Sequence, residues 1–446
     1  MVFDRRETLI LLIGDFLILI ASLWTALLLR NLSFPATSYF QTNLIPFLPI
    51  FLLSIVVFYI AGLYEKQTRP IRRLMGMRIF GAQAATVAMA SILFFVLPFS
   101  IAPKTILVLY LIVSVAAESA WRFYRMNREK TEENRVPALF VGTGLAHQEL
   151  VEEIKNNDWY LIRCISQIDT CAATEESLVA SITAGINEGA RVIVLDTANA
   201  MLMQALVKSR ALVMAHTVTI KDAALLYEEI FDRVSLESVP MASLFESLSK
   251  QHQLYDGLKR VFDIVLALCG SVIAIPIVTL AALALLLESG MPFFRHERIG
   301  KGGQHFSILK LRSMLLNDHG DPELQRKNRV TPIGRLIRKT RIDELPQLWN
   351  VLTGDLSFIG PRPELPKIAE VYEQEIPQYW MRHLITPGLS GWAQIHDYDA
   401  PRGPADVVRT RRKLAYDLYY LKHRSFSLDV AIAVKTIRAL LSLSGT

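Results

Sequence analysis

The sequence predicts a membrane protein of mixed α and α/β class, in three parts. Four long apolar runs occupy residues 1–130, strands alternate with helical segments over 131–250, and 251–446 is rich in glycine, proline and arginine. Hydrophobic residues make up 52% of the 446 residues, and the formal charge is +6. This composition favours a membrane protein over a nucleic-acid-binding protein. The three cysteines lack metal-ligand spacing, so neither a zinc site nor a disulfide framework is expected.

The four N-terminal apolar runs cover residues 9–29, 44–63, 79–97 and 106–120. About 20 helical residues span the hydrocarbon core of a bilayer, so the runs predict a four-helix transmembrane bundle. Helices buried in a soluble core are the alternative. Basic residues cluster before the first run, between the second and third, and after the fourth. The positive-inside rule therefore predicts that both ends of the bundle are cytoplasmic.

The middle part alternates between strand and helix patterns. VPALFVGTG (136–144) and ARVIVLD (190–196) predict buried strands, each followed by a helical segment. This pattern is typical of a small, parallel, Rossmann-like α/β domain that links the two flanking parts. Gly142 and Gly144 suggest a dinucleotide site, but His147 stands where the fingerprint has its third glycine. A structural turn and a ligand-binding turn both remain open.

A fifth apolar run, residues 261–287, contains Pro276 near its middle. Lys259 and Arg260 precede this run, and further basic residues follow it. A proline bends a helix, and positive charge on both sides favours the same compartment for both ends. The sequence therefore predicts a re-entrant membrane helix over about 259–288, with Lys259 and Arg260 anchored in the headgroup layer. A kinked full span is the alternative.

The C-terminal part places many basic residues around two adjacent acids. The segment ERIGKGGQHFSILKLRSM (297–314) mixes cations with glycines, and GRLIRKTR (334–341) directly precedes Ile342, Asp343 and Glu344. Glycines allow a backbone to approach a ligand closely, and guanidinium groups suit phosphate oxygens. Contact with anionic lipid is the simpler explanation of the basic residues, and helix-dipole compensation is the simpler explanation of the acids.

Phosphoryl transfer would account for the acids and the basic residues together. It needs cations that neutralise a pyrophosphate, a metal ion that bridges its oxygens, and an in-line nucleophile. A carboxylate can be that nucleophile and form an acyl phosphate. Two acids, two basic segments and an arginine fixed between prolines, Pro361-Arg362-Pro363, favour this chemistry.

These motifs resemble the polyprenyl-phosphate hexose-1-phosphate transferases, the monotopic phosphoglycosyl transferases. The resemblance runs from about residue 255 to the C-terminus. It is carried in order by KRVFD, the proline-containing run, FFRHERIGKGGQHFSILKLRSM, LIRKTRIDELPQLWNVLTGDLSFIGPRPE and TPGLSGWAQI. The N-terminal bundle and the α/β domain resemble the large, bacterial branch of that superfamily. One departure is Ile275, which precedes Pro276 where the family often has a serine.

The resemblance implies transfer of a hexose-1-phosphate from a UDP-sugar to undecaprenyl phosphate, with release of UMP and a need for Mg²⁺. It implies that Asp343 is the nucleophile and forms a covalent aspartyl-phosphosugar, that Glu344 gives metal or acid-base support, and that Arg362 contacts the nucleotide or its phosphates. Both acids are expected to hold Mg²⁺. Four more basic residues are expected to bind substrate: Lys310, Arg312, Arg298 and Arg341.

The implied setting is the bacterial inner membrane, with the active site on the cytoplasmic face and no nucleic-acid partner. The reaction would be the first membrane step of exopolysaccharide, capsule or O-antigen repeat-unit assembly. The segment TPGLSGWAQIHDYDAP resembles the branch of the family that often handles glucose more than the branch that often handles galactose, and N-acetylated and deoxy sugars remain open. The segment LAYDLYYLKHRSFSLDVAIAVKTIRALL (414–441) is expected to form interfacial helices, with ordinary domain packing as the alternative.

Two other functions are less well supported by the residues. A membrane scaffold with a degenerate catalytic domain would be favoured by loss of the acids or the basic motifs, and both are intact. A sugar-nucleotide-modifying role for the α/β domain lacks a Tyr-x-x-x-Lys pair and a complete glycine fingerprint. A linking or dimerising role fits that domain better, with YEEIFDRVSLE (227–237) as a candidate contact element of a homodimer.

Overall fold

The computed structural model of the chain describes residues 5–64, 75–96, 104–128, 135–157, 160–171, 173–237, 253–289, 291–314, 330–396 and 406–441. The chain divides into two units, Met1–Ile230 and Phe231–Thr446. The backbone after Phe231 bonds within the second unit: the Val234 N–H donates to the Ala415 carbonyl at 3.1 Å. The predicted domain boundary at residue 251 stays a prediction.

Four helices form the bundle of the first unit. They are α1 (Arg5–Asn31), α2 (Thr37–Ile60), α3 (Met75–Val96) and α4 (Lys104–Arg128). Both α1 and α3 pack against α2 and α4. Among the described residues, α1, α2 and α4 are long and apolar enough to cross a bilayer, whereas the apolar stretch of α3 is shorter, Ile79–Ser91. All four predicted helices are therefore present, and three of them meet the length expected for a span.

Side-chain exposure in this bundle follows the pattern of a membrane protein. Leu23, Phe47 and Tyr110 are fully buried between the helices. Large apolar side chains also cover the outside, where Leu9 and Ile112 are about 60% exposed. Apolar residues on both the inner and the outer surface are expected where the helices face lipid tails. The composition and the packing of the bundle are therefore those of a membrane protein.

The rest of the first unit is a parallel α/β domain, as predicted. Its elements are β1 (Val136–Val141), α5 (Leu145–Asn156), β2 (Ile162–Ile168), α6 (Glu175–Asn187), β3 (Val192–Leu195), α7 (Ala200–Lys208), α8 (Arg210–Ala215), β4 (Thr219–Asp222) and α9 (Ala223–Phe231). The strand order is β2-β1-β3-β4, and every pairing is parallel. Strand β3 is buried along its whole length, which explains its continuous apolar sequence.

The glycines after β1 have packing and backbone reasons. A Cβ on Gly142 would lie 2.7 Å from Nδ1 of His147, so the glycine makes room for that buried imidazole. Gly144 has φ 95° at the start of α5, a backbone angle that favours glycine. His147 thus fills the helix–strand contact that a third glycine would leave open. This packing favours the structural turn over the ligand-binding turn.

The second unit contains the remaining motifs. Its helices and strands are α10 (Gln253–Ser289), β5 (Phe293–Ile299), β6 (His305–Leu311), α11 (Pro332–Lys339), α12 (Leu348–Thr353), β7 (Ser357–Ile359), α13 (Pro366–Glu375), β8 (Gly388–Ser390), α14 (Trp392–His396), α15 (Val407–His423) and α16 (Phe426–Leu441). Three 3-10 helices cover Lys301–Gly303, Ile342–Gln347 and Tyr379–Leu384. Strands β5 and β6 form an antiparallel hairpin, and β7 pairs in parallel with β8.

The predicted break at Pro276 is not an interruption of the helix. Helix α10 runs for 37 residues with Pro276 inside it. A proline costs the helix one backbone hydrogen bond, yet both halves of α10 pack against the rest of the second unit, and this packing holds the helical course. Ser271, five residues before Pro276, donates to the Ala267 carbonyl one turn earlier at 2.6 Å. The re-entrant course of α10 stays a prediction.

The two predicted headgroup anchors are engaged within the protein. Lys259 Nζ lies 2.9 Å from Oδ2 of Asp429, and the hydroxyl of Tyr255 donates to the same oxygen at 2.7 Å. Arg260 donates to the carbonyls of Val351 and Leu352 at the end of α12. The two side chains thus tie α10 to α16 and α12. Their contact with lipid headgroups stays a prediction.

The two C-terminal helices differ in burial. Leu414, Leu418 and Tyr420 of α15 lie in the core, so this helix follows the domain-packing alternative. Helix α16 instead exposes Phe426, Val430 and Ile437. Only α16 therefore keeps the apolar surface expected of an interfacial helix.

Candidate active site

The two acids occupy the first turn of a short 3-10 helix. Arg341 precedes them in the left-handed region, with φ 57° and ψ 19°, and the helix Ile342–Gln347 follows. Few residues other than glycine adopt this conformation, and it turns the chain sharply between α11 and the acids. Asp343 and Glu344 are both half-buried, whereas Pro346 and Gln347 behind them are buried. The buried end of the 3-10 helix therefore holds the turn that carries the two acids.

The segment that carries the acids runs antiparallel along α10. At one end, the carboxylate of Glu288 accepts from the Ile333 N–H at 3.4 Å. At the other end, the carboxylate of Asp263 accepts from the Phe358 N–H at 3.2 Å. The ends of the segment thus meet opposite ends of the same helix.

Contacts along the segment between Ile333 and Phe358 follow the same antiparallel order relative to α10. Ile342 belongs to one apolar cluster with Val278, and a Cβ on Gly270 would lie 3.5 Å from the Leu348 side chain. The acids lie between Ile342 and Leu348 in the chain. They are therefore beside the middle of α10, the stretch that contains Pro276.

Glu344 is surrounded by positive charge. Its Oε1 lies 3.2 Å from Lys310 Nζ, and its Oε2 lies 3.7 Å from Nη1 of Arg341. Burial alone would raise the pKa of the Glu344 carboxyl, but Lys310, Arg362 and Arg341 outweigh it and hold the pKa below its ordinary value. Glu344 is thus a carboxylate that stays ionised and binds several cations together.

Asp343 has the opposite environment. Among the described residues it makes no ion pair within 4.0 Å. Burial and then the neighbouring Glu344 charge raise the pKa of the Asp343 carboxyl, against the opposing effects of Lys310 and Arg338. Two adjacent carboxyl groups whose pKa values move apart are suited to different roles. A more basic carboxylate without an ion-pair partner is the better nucleophile of the two.

The arginine between prolines is held by its backbone. All four carbonyls from Pro361 to Glu364 accept a hydrogen bond. The donors, in chain order, are the Gly388 N–H at 2.9 Å, Arg382 Nη2 at 2.9 Å, Arg298 Nη1 at 3.4 Å and the Ile299 N–H at 3.1 Å. Because the loop is fixed at every residue, the Arg362 side chain is presented from a rigid base. Its charge reaches Glu344, whose pKa it lowers.

Comparison with known proteins decides the family. Residues 254–443 match the bacterial sugar transferase family. Over 189 residues the chain is 41% identical to the UDP-glucose:undecaprenyl-phosphate glucose-1-phosphate transferase of Caulobacter vibrioides, and the match covers 41% of this chain and 70% of that protein. The chain belongs to the bacterial sugar transferase family.

In two further relatives, the matched part covers less than half of the protein. The UDP-N-acetylgalactosamine-undecaprenyl-phosphate N-acetylgalactosaminephosphotransferase of Aeromonas hydrophila is 45% identical over 194 residues, 42% of this chain and 45% of that protein. The UDP-glucose:undecaprenyl-phosphate glucose-1-phosphate transferase of Escherichia coli is 36% identical over 208 residues, 45% of this chain and 44% of that protein. The chain thus spans less than half the length of these two relatives.

The structure of this sugar transferase brings three predicted substrate-binding residues together. Lys310, Arg341 and Arg362 all act on Glu344. Arg298 instead reaches the rear of the Arg362 loop through the Pro363 carbonyl. Arg312 follows β6 two residues after Lys310, so the two side chains share a face, and its buried Nε has no partner among the described residues. A substrate phosphate would be a suitable partner for Arg312.

Three residues of the site were missed by the sequence reasoning. Arg338 lies close enough to lower the pKa of Asp343, and its place in GRLIRKTR could have identified it. Asn350 accepts from the Leu309 N–H at 3.0 Å and donates to the Ser307 carbonyl at 2.9 Å, which fixes β6 next to Lys310. Arg382 supports the Arg362 loop. No local pattern marks Asn350 or Arg382, because their partners are distant in sequence.

The two acids fit a magnesium ion that the substrate would complete. The described residues contain no group of three or more histidine, cysteine, aspartate or glutamate side chains placed to hold a metal. Mg²⁺ commonly binds through one or two carboxylates plus substrate phosphates, rather than in an all-protein cage. Asp343, with no ion pair to a described residue, and the adjacent Glu344 provide hard oxygen donors of this kind.

Proposed function

We propose that this family member transfers a hexose-1-phosphate from a UDP-sugar to undecaprenyl phosphate and releases UMP. The unequal environments of Asp343 and Glu344 within a cluster of cations carry the proposal. The names of the relatives support it, because each describes a transfer of this type to undecaprenyl phosphate. The first membrane step of bacterial exopolysaccharide, capsule or O-antigen assembly is the corresponding proposed role.

In the first step, the Asp343 carboxylate attacks the phosphorus that carries the sugar. A bond forms between the carboxylate oxygen and phosphorus, and the phosphorus–oxygen bond to UMP breaks, so UMP leaves with the electron pair. In the second step, an oxygen of undecaprenyl phosphate attacks the same phosphorus, and the Asp343 carboxylate leaves. The products are UMP and undecaprenyl diphosphate sugar, and the enzyme returns to its starting state.

The remaining site residues would bind and neutralise charged groups and would not react themselves. Arg362 and Arg312 present guanidinium groups to the pyrophosphate, and Lys310 adds a positive charge between the substrate and Glu344. Arg341 keeps Glu344 ionised and oriented. Mg²⁺ held by Asp343 and Glu344 would neutralise phosphate charge. Excess chelator is therefore expected to abolish UMP release, and added Mg²⁺ to restore it; full turnover in chelator would contradict the metal requirement.

The surface of α10 supports a site at the cytoplasmic membrane face. One side of the helix is strongly exposed along its length, from Val261 at 58% to Ile273 at 69% and Leu287 at 90%. The opposite side packs on the rest of the second unit through Ala267 and Leu285, both fully buried. A helix that crossed the bilayer would carry the charged acids to its centre, which is costly. A re-entrant course in the inner membrane keeps them at the headgroup layer.

The sugar can be identified directly. The resemblance of the TPGLSGWAQIHDYDAP segment to the glucose-handling branch of the family supports glucose over galactose, and the names of the relatives give glucose or N-acetylgalactosamine. The test is UMP release by purified protein with undecaprenyl phosphate and UDP-glucose, UDP-galactose, UDP-N-acetylglucosamine, UDP-N-acetylgalactosamine or a UDP-linked deoxy sugar. Release with at least one of these, dependent on the lipid phosphate, is expected. No release from any of them would refute the proposed function.

Homodimer formation also remains a proposal. Part of the expected contact element, YEEIFDRVSLE, is used within the chain, because the carbonyl of Asp232 accepts from Trp392 Nε1 at 2.7 Å. The mass of the detergent-solubilised protein, measured by light scattering, would decide between a monomer and a dimer.

A further inference from the structure

The residue behind Arg362 is an arginine that is almost completely buried. Arg382 is 7% exposed, on the 3-10 helix Tyr379–Leu384. Its Nη1 donates to the hydroxyl of Tyr379 at 2.7 Å, and its Nη2 donates to the Arg362 carbonyl at 2.9 Å. The same Nη2 lies 2.9 Å from Oδ2 of Asp417, which is 2% exposed on α15. The Arg382 guanidinium thus joins α15, Tyr379 and the loop that carries Arg362.

A buried charge of this kind is expensive and needs full compensation. Removing a guanidinium from water costs several kcal/mol, and an acid partner offsets that cost only in good geometry. Apolar side chains at both position 382 and position 417 would fill the space without this penalty. What an apolar side chain cannot do is donate to the Arg362 carbonyl, which has no other donor among the described residues.

The neighbouring carbonyls show why this contact is specific. Pro361 and Glu364 are held by backbone N–H groups of paired segments, which persist whatever the side chains are. Only Arg362 and Pro363 depend on side-chain donors, Arg382 and Arg298. Loss of Arg382 would therefore loosen the residue that carries the substrate-facing guanidinium, while the backbone contacts on either side of it remain.

We propose that Arg382, neutralised by Asp417, is a positioning residue that holds the main chain at Arg362 and so aims the Arg362 guanidinium at the substrate pyrophosphate. The proposal rests on the proposed function for the identity of the substrate. Arg382 contacts Tyr379, Asp417 and the Arg362 carbonyl, and neither Asp343 nor Glu344, the acid dyad, is among these partners. Its effect passes entirely through Arg362, and this makes the proposal testable by coupling the two positions.

The experiment is a double-mutant cycle with Arg382→Lys and Arg362→Ala. Lysine keeps the buried positive charge but lacks the planar fork that reaches Tyr379, Asp417 and the carbonyl together. Steady-state kcat and KM for the UDP-sugar are measured in all four proteins, with thermal unfolding as the check on folding. Because a lost hydrogen bond to a charged group is worth about tenfold, Arg382→Lys is expected to lower kcat/KM about tenfold in the wild-type background.

In the Arg362→Ala background, the same Arg382→Lys change is expected to have almost no further effect, because the group that it positions is gone. Equal losses in both backgrounds would overturn the proposal, since a merely structural residue acts whether or not Arg362 is present. Unchanged kinetics of Arg382→Lys would overturn it as well. Arg411→Lys is the matched control, because exposed Arg411 also donates to a backbone carbonyl, that of Glu375, at 3.0 Å.

A second variant covers the case in which Arg382→Lys does not fold. Asp417→Asn keeps the size of the side chain and removes the neutralising charge, and it should show the same dependence on Arg362. Unfolding of both variants would assign the pair to the fold alone and overturn the proposal. The Kd for UDP is measured alongside: weaker UDP binding that depends on Arg362 would support the positioning role even if the proposed transfer reaction failed.

Discussion

Lys310 and Glu344 form an ion pair in which Nζ lies 3.2 Å from Oε1, and this contact joins the β5–β6 hairpin to the dyad. Lys310 lowers the pKa of both acids, so one residue of the hairpin controls the charge of the site. Asn350, hydrogen-bonded to β6 on both sides of Ile308, fixes the strand that carries it. Gly302 and Gly303 form the turn of this hairpin, and their φ angles of 70° and 77° favour glycine there.

Asp343→Asn is expected to abolish UMP release, because an amide cannot form the acyl phosphate. Glu344→Gln is expected to lose most turnover, yet still to retain a phosphosugar on Asp343 when UDP-sugar is supplied without the lipid acceptor. The measurements are UMP release and the intact mass of each protein. Asp406→Asn is the control: Asp406 caps α15, where asparagine caps equally well. Near-normal UMP release by Asp343→Asn would exclude it as the nucleophile.

Lys310→Met is expected to move the acid limb of the pH profile upwards. The reactive form of Asp343 is the carboxylate, and its pKa is already raised above the ordinary 3.8. Activity should therefore fall at a higher pH than for an ordinary aspartate as the solution is acidified. Without the Lys310 charge the pKa rises further, so the limb shifts again. The profile of kcat/KM reports this group in the free enzyme.

The control for this shift is Lys301→Met, the same change of charge on the exposed hairpin turn. It should leave the acid limb where the wild type has it. A Lys310→Met profile that coincides with the control would show that Lys310 does not set the ionisation of the dyad. A fall in kcat/KM at all pH values, with no shift, would leave Lys310 a substrate-binding role only.

Arg122→Ala is expected to destabilise the membrane bundle. Arg122 of α4 forms a buried ion pair with Asp15 of α1 and donates to the Leu63 carbonyl at 2.6 Å. Removing one partner of a buried pair leaves the other charge uncompensated, at a cost of about 3–5 kcal/mol. The measurement is the Tm of the protein in detergent.

Addition of Asp15→Asn to Arg122→Ala should recover part of the lost Tm, because the uncompensated charge is then removed. Arg30→Ala, at the exposed end of α1, is the matched control and should leave the Tm unchanged. A Tm for Arg122→Ala equal to that of the control would mean that the pair contributes nothing to the packing of α1 against α4.

The sequence was informative where the chemistry is local and uninformative where it is not. Apolar runs predicted the helices, and the adjacent Asp343 and Glu344 stood out beside two basic segments. The different environments of the two acids could not be predicted, because they depend on Lys310 and Arg362 from separate elements. Pro276 led to a predicted break because sequence shows the missing donor but not the packing of α10 on both sides of it. Arg382 and Asp417 lie 35 positions apart, and only the fold brings them together.

The course of α10 can be tested by cysteine labelling in intact cells. A straight helix of 37 residues would extend about 55 Å at 1.5 Å per residue, well beyond the roughly 30 Å hydrocarbon core. If α10 is re-entrant, the hairpin turn after it stays in the cytoplasm. Single cysteines are introduced by Lys301→Cys on that turn and by Leu32→Cys between α1 and α2, in a background without Cys164, Cys171 and Cys269.

A membrane-impermeant thiol reagent is then applied from outside. Leu32 is 89% exposed, and the positive-inside rule places it on the outer side, so Leu32→Cys should be labelled. Lys301→Cys should be protected until the cells are opened. Pro276→Ala restores the missing helix donor and relieves the ring clash, about 3 kcal/mol in favour of a straight helix, so some Lys301→Cys labelling should appear with it. External labelling of Lys301→Cys in the chain that keeps Pro276 would show that α10 crosses the membrane, and the proposed cytoplasmic site would fall with it.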